Sequence, residues 1–243
     1  MRFDSFYKDI SETELINEGI NDLGIFKAVF MAGFPGSGKS YTLSKVKSGL
    51  IEPRMVNVDL YVEFKDPHGG HYEEFYNRSR ILLESKLTLY INSVLPLAID
   101  TTSAQSTAVV RRYNILENLG YDLGMIFVNT SSETAWDRIQ KRTRKVDRES
   151  FENYYNQIKD TKNFLKSKFP FYIEVSNDVG ELTNEVVLDA FKKVSYFYDS
   201  PIKNPIGKEY FDLMKRNGWK YLAPSIMTMS QLKRKVSDWY RSV

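Results

Sequence analysis

The chain predicts an α/β domain with a mainly parallel sheet of about five strands, and three observations carry that expectation. From residue 27 onward, short and near-continuously apolar runs alternate with longer helical segments. A glycine-rich loop, Gly33-Phe34-Pro35-Gly36-Ser37-Gly38-Lys39-Ser40, joins one apolar run to one helical segment. Two further runs end at acidic residues, Asp59 and Asp100, at strand carboxyl ends, where parallel sheets collect ligands.

Ser11 and Glu14 form a capping box, which predicts a short helix over 11–23 within an N-terminal extension, 1–26. Strands are predicted over 27–32, 55–58, 95–99, 124–129 and 171–175. Helices are predicted over 39–48, 72–94, 105–119, 131–142, 149–167 and 181–196. These make up a central domain, 27–198. Asp199 to Gly207 carries Pro201, Pro205 and Gly207 and marks a boundary or hinge. The remainder of 199–243 is too short for its own core and is expected to pack on the main domain as a small helical appendage.

Composition narrows the function classes. A chain of 243 residues with 42% hydrophobic and 27% charged residues suits a globular protein with one sizeable core. No stretch is long and apolar enough to span a membrane, and Met1-Arg2-Phe3-Asp4-Ser5-Phe6 lacks a signal-peptide core. The absence of cysteine excludes disulfides and thiolate metal sites, and His68 and His71 alone make a histidine-rich metal centre an unsuitable reading. A cytoplasmic protein is expected. The net charge of +3 is mild, so any nucleic-acid partner must be argued from where the charges sit.

The loop at 33–40 fills every fixed position of G-x-x-x-x-G-K-[ST]. Gly33, Gly36 and Gly38 let the backbone curl so that successive N–H groups face one anion-sized hollow. Lys39 reaches the β- and γ-phosphates, and Ser40 opens a helix with its hydroxyl directed at Mg²⁺. Gly33, Pro35, Gly36, Ser37, Gly38, Lys39, Ser40 and Tyr41 are therefore the candidate residues for binding a nucleoside triphosphate.

Asp59 faces the γ-phosphate in this reading and accepts the proton of an attacking hydroxyl; the alternative is a carboxylate that caps the next helix. Asp100 ends Leu97-Ala98-Ile99 in the Walker-B manner and holds Mg²⁺ with Ser40, or else it bonds the turn that follows. Lys141-Arg142-Thr143-Arg144-Lys145 suits a lid whose Arg142 or Arg144 screens the transferring group, or a cationic helix end. Arg138, one turn earlier, is a further candidate. Arg78 and Arg80 either contact substrate or belong to a solvated, salt-bridged helix face. At the C-terminus, Lys and Arg interleave with Tyr210, Phe211, Trp219, Tyr221, Trp239 and Tyr240. That suits a nucleic-acid groove, or rings that dock the tail and leave the cations exposed.

In this order these motifs resemble the P-loop kinase group of phage-type polynucleotide kinase and the zeta toxins, from about residue 27 to 165. The Pro-Gly-Ser-Gly-Lys-Ser core is that of polynucleotide kinase. Asn57-Val58-Asp59-Leu60-Tyr61 is similar to its second-strand motif, which makes Asp59 the general base for a 5′-hydroxyl. Ile99-Asp100-Thr101 resembles its third-strand Asp-Thr, and Arg142 its lid arginine. Val62-Glu63 stands where that family carries a substrate-binding arginine, and Val58 where it tends to carry a basic residue. The zeta toxins, which phosphorylate a UDP-amino sugar, carry an arginine on a long helix that Arg78 or Arg80 matches.

The resemblance implies a P-loop kinase three-layer sandwich that transfers the γ-phosphoryl group of ATP to a hydroxyl. Nucleic acid is the expected acceptor, at a 5′-end or a hydroxymethylated base, as in phage DNA-modifying kinases. A zeta-type kinase of a UDP-sugar and a nucleotide-dependent switch protein are the alternatives.

Overall fold

The structure, a computed structural model, describes residues 24–46, 53–65, 72–101, 103–141, 146–178, 182–216 and 228–239. The predicted helix at 11–23 lies outside them, as do Arg142 and Arg144.

In chain order the elements are β1 (Lys27–Gly33), α1 (Lys39–Val46), β2 (Arg54–Val56), α2 (Val58–Lys65), α3 (Tyr72–Asn92) and β3 (Leu97–Asp100). They continue with α4 (Ser106–Glu117), β4 (Asp122–Asn129), α5 (Ser132–Gln140), α6 (Arg148–Lys168), β5 (Phe171–Ser176), α7 (Asn184–Asp199), α8 (Pro205–Arg216) and α9 (Met229–Trp239). The five strands form one parallel sheet in the order β2-β3-β1-β4-β5. β1 is central, and all seven of its residues are buried.

Strand periodicity splits β1 between two cores. Ala28, Phe30 and Ala32 join Leu97, Ile99, Met125 and Phe127 under α3, α4, α6, α8 and α9. Val29 and Met31 join Ala98, Ile126, Val128 and Val175 beneath α1 and α7, through Leu43, Ala190, Val194 and Phe197. A sheet apolar on both faces must be covered on both, which gives the three expected layers.

One expected element differs. The strand expected over 55–58 closes at Val56, and an unpredicted helix, α2, begins at Val58. Asn57 is the cause: its Oδ1 accepts the Asp59 backbone N–H at 2.8 Å, an N-cap that outcompetes strand continuation. Asp59 thus lies in the first turn of a helix instead of directly at a strand end.

The described part of 199–243 is built into the first core. Trp239 is 2% exposed and stacks on Phe30 of β1, with ring centroids 6.5 Å apart. Tyr210 meets Phe26 edge-on at 5.7 Å. The segment before α8 is pinned by a buried ion pair at the amino ends of β1 and β4. Lys27 Nζ donates to Asp122 Oδ2 at 2.6 Å, to Ser200 Oγ at 3.1 Å and to the Pro201 carbonyl at 3.1 Å. Asp122 also accepts the backbone N–H groups of Lys203 at 2.8 Å and Asn204 at 2.7 Å.

Candidate nucleotide-binding and phosphoryl-transfer site

The loop leaves the carboxyl end of β1 and opens α1, with backbone bonds that tighten it from within. Ser37 N–H donates to the Phe34 carbonyl at 3.0 Å, and Thr42 N–H to the Gly38 carbonyl at 2.9 Å. Phe34 anchors the loop from below: it is buried, stacks on Tyr155 at 4.0 Å and meets Phe127 edge-on at 5.6 Å. Lys39 Nζ reaches back over the loop to the carbonyls of Gly33 at 3.1 Å and Phe34 at 3.3 Å. Its ammonium is therefore held at the loop's own curl, where the motif requires a cation.

Gly36 and Gly38 are required by backbone and by space. Both have φ of +80°, where glycine has no steric cost. A Cβ on Gly36 would stand 2.3 Å from the Ala135 carbonyl oxygen of α5, and one on Gly38 would stand 2.4 Å from Nδ2 of Asn177. The loop is thus wedged between α5 and the end of β5. Pro35 is half-buried in it and Ser37 is fully buried, while Ser40 and Tyr41 are exposed on the first turn of α1.

Asp100 ends β3 in register with Met31 of β1, two residues before Gly33 on the neighbouring strand. Asn57 Nδ2 donates to Asp100 Oδ2 at 2.7 Å, while its Oδ1 holds the Asp59 N–H. One carboxamide therefore ties the Asp100 carboxylate to the backbone of Asp59. Asp59 is exposed. For Mg²⁺, the Ser40 hydroxyl on the first turn of α1 and the Asp100 carboxylate at the end of β3 are hard oxygen donors. Their chemistry fits the ion. Among the described residues no cluster of three or more His, Cys, Asp or Glu forms an all-protein metal cage.

The arginines divide. Arg78 is an exposed side chain on α3, 3.9 Å from Glu74 one turn away. Arg80 is half-buried, 3.8 Å from Glu84. Arg148 pairs with Glu152 at 2.6 Å and covers the Trp136 ring at 4.8 Å. Arg138 is the one that α5 carries to the loop: its Nη1 lies 3.9 Å from the Cβ position at Gly38. That nitrogen is buried and lacks a hydrogen-bond partner among the described residues.

Sequence reasoning missed Asn57, Asn177 and Asp178. Asn57 carried a legible signal, an Asn two residues ahead of an Asp at a strand end, which is an N-cap pattern. Asp178 follows β5 and clamps the start of α5. It accepts the Thr130 hydroxyl at 2.9 Å, the Ser131 N–H at 2.9 Å and the Ser131 hydroxyl at 2.8 Å. Partial burial raises its pKa, but the bonds from Ser131, Thr134 and Thr130 outweigh burial and pull it down to about 2.

The sign follows from that direction. The stability Asp178 contributes is present above the ordinary carboxylate range near pH ~4. It is lost as pH falls toward about 2. Asp178→Asn should lower stability at neutral pH and flatten the acid limb of a denaturation profile followed by circular dichroism. An acid limb of unchanged slope would remove Asp178 from this role.

The zeta toxin family model matches residues 24–188, more than half of the chain. No curated protein matches it significantly. Among solved structures, a chain of the Pnkp1/Rnl/Hen1 RNA repair complex is 18% identical with a TM-score of 0.47, covering 62% of this chain and 49% of that one. Shikimate kinase from Acinetobacter baumannii in complex with shikimate is 14% identical with a TM-score of 0.45, covering 72% and 93%. Deoxyadenosine kinase from M. mycoides with bound dCTP is 17% identical with a TM-score of 0.44, covering 69% and 97%.

Proposed function

Because the chain belongs to the zeta toxin family, and is a nucleotide-dependent phosphotransferase by that membership, we propose that it transfers the γ-phosphoryl group of ATP to an alcohol. The observation that carries this reading is the loop at 33–40, with Lys39 Nζ drawn onto its carbonyls and Asp100 at the adjacent strand end. Lys39 and the loop amides hold the phosphates, and Tyr41 borders the nucleotide from the exposed first turn of α1. Ser40 and Asp100 would hold Mg²⁺, which when bound offsets charge on the β- and γ-oxygens.

Asp59 takes the proton from the acceptor hydroxyl. Asn57 positions it from behind by bonding its backbone N–H. Arg138 supplies a phosphate-facing guanidinium beside Gly38, joined by Arg142 or Arg144 from the following segment. Arg78 or Arg80 on α3 contacts the acceptor; Arg80 is half-buried and Arg78 exposed.

Two acceptors are in contention. A hydroxyl of a UDP-sugar is favoured by the family match and by the C-terminal rings, since Trp239, Tyr210 and Phe211 pack on the core. A nucleic-acid hydroxyl, at a 5′-end or a hydroxymethylated base, is supported by the exposed Lys215, Arg216, Lys233 and Arg234. Labelled ATP with Mg²⁺ should be offered to UDP-amino sugars, 5′-hydroxyl DNA and RNA, and hydroxymethylated DNA. Label on a nucleotide sugar alone supports the first reading, and label on an oligonucleotide alone the second. Label on neither overturns both.

The base is tested separately. Asp59→Asn should keep ATP affinity while transfer to the productive acceptor falls by about 10²-fold or more. Turnover equal to wild type would exclude Asp59 as the base.

A further inference from the structure

The phosphate loop is held from outside by a residue more than a hundred positions away in sequence. Asn177, 6% exposed, follows β5 and is fixed there by its backbone N–H, which donates to the Asn129 carbonyl at 2.9 Å. Its Nδ2 donates to the Ser37 carbonyl at 2.6 Å, and the absence of a Cβ on Gly38 is what admits this approach. The next residue, Asp178, holds the first turn of α5, the helix that carries Ala135 against Gly36 and Arg138 beside Gly38. Two consecutive side chains thus tie the loop and the arginine-bearing helix to the same strand end.

A trans peptide is planar, with its C=O and the following N–H pointing in opposite directions. Holding the Ser37 oxygen against Asn177 therefore sends the Gly38 N–H the other way, away from β5. We propose that Asn177 is a positioning residue for the nucleotide, orienting the Ser37–Gly38 peptide so that the Gly38 N–H faces the phosphates. This rests on the reading of the loop as the ATP site. Charge-assisted bonds from backbone N–H to phosphate weaken steeply as alignment is lost, so freeing this peptide lowers affinity even with Lys39 intact. Such a contact serves ground state and transition state alike, and its loss raises KM while kcat holds.

The test measures ATP affinity by titration calorimetry, steady-state kinetics and urea melting for wild type, Lys39→Met, Asn177→Ala and Asn177→Asp. Asn177→Asp is isosteric and lacks the donor; Asn177→Ala lacks the donor without adding a charge. Wild-type binding that Lys39→Met abolishes supports the ATP site itself. Both Asn177 variants should then lose about tenfold in ATP affinity, with KM for ATP rising in parallel and kcat within about twofold of wild type. Should Asn177→Ala fold poorly, Asn177→Leu, close to Asn in volume and lacking both donor and charge, carries the test. Wild-type affinity in the Asn177 variants, with only the urea midpoint lowered, would reduce Asn177 to a packing residue and overturn the proposal. Absence of ATP binding by wild type would overturn the ATP reading as well.

Discussion

Lys39→Met is expected to lower phosphoryl transfer by about 10³-fold, with the melting temperature nearly unchanged. Methionine keeps the unbranched apolar stem and removes only the ammonium. What disappears is a cation held at the curl of the loop by the carbonyls of Gly33 and Phe34, where the proposed function puts the β- and γ-phosphates. No other described cation is placed there by the loop itself: Arg138 approaches from α5, on the Gly38 side. Lys39→Arg should recover little, because a planar guanidinium does not fit a site shaped for a compact ammonium. Steady-state rates at saturating ATP check this, and a loss below about tenfold would mean that the loop is not the donor site.

Asp122→Ala carries the largest expected effect on stability, about 3–5 kcal/mol, because it strands a buried ammonium. Lys27 is 1% exposed, and Asp122 is its carboxylate partner. The same carboxylate also receives two backbone N–H groups, from Lys203 and Asn204, which fix the chain as it enters α8. Losing it leaves the ammonium with only Ser200 Oγ and the Pro201 carbonyl, removes the acceptor of two backbone N–H groups, and loosens the attachment of α8, whose Met214 lies in the main core. Against a typical total of roughly 5–15 kcal/mol, such a loss shifts a urea midpoint far to the left. Removing both charges, as Lys27→Met with Asp122→Asn, should recover part of it, since no buried charge is then unpaired. A single variant melting like wild type would show that the pair is solvated in solution.

How much of this was legible in the sequence depended on how local each cause is. β1, the loop and Asp100 were readable because each is a local pattern: an apolar run leading into three closely spaced glycines, and a second apolar run ended by an aspartate. Asn57 was misread because Met55 to Val58 also suits a strand, and a cap of one hydrogen bond decides the matter. Asn177 and Asp178 left no local trace: their partners lie 140 residues away in the loop and 47 away at Ser131. The same holds for Lys27 and Asp122, 95 residues apart. The C-terminal aromatics were open to two readings because a buried and an exposed ring look alike in one sequence. Packing resolved Trp239, Tyr210 and Phe211 as core-facing, while Lys208, Lys215, Arg216, Lys233 and Arg234 are exposed.

The fate of the γ-phosphate separates transfer to an alcohol from hydrolysis. Phosphorus NMR of the protein with MgATP and a mixture of a UDP-amino sugar and a 5′-hydroxyl oligonucleotide follows that atom directly. The expected result is ADP and a new phosphomonoester on one acceptor appearing in equal amounts, with neither formed by Lys39→Met. ADP matched only by inorganic phosphate, or ATP left unconsumed, would contradict a kinase that acts on an alcohol.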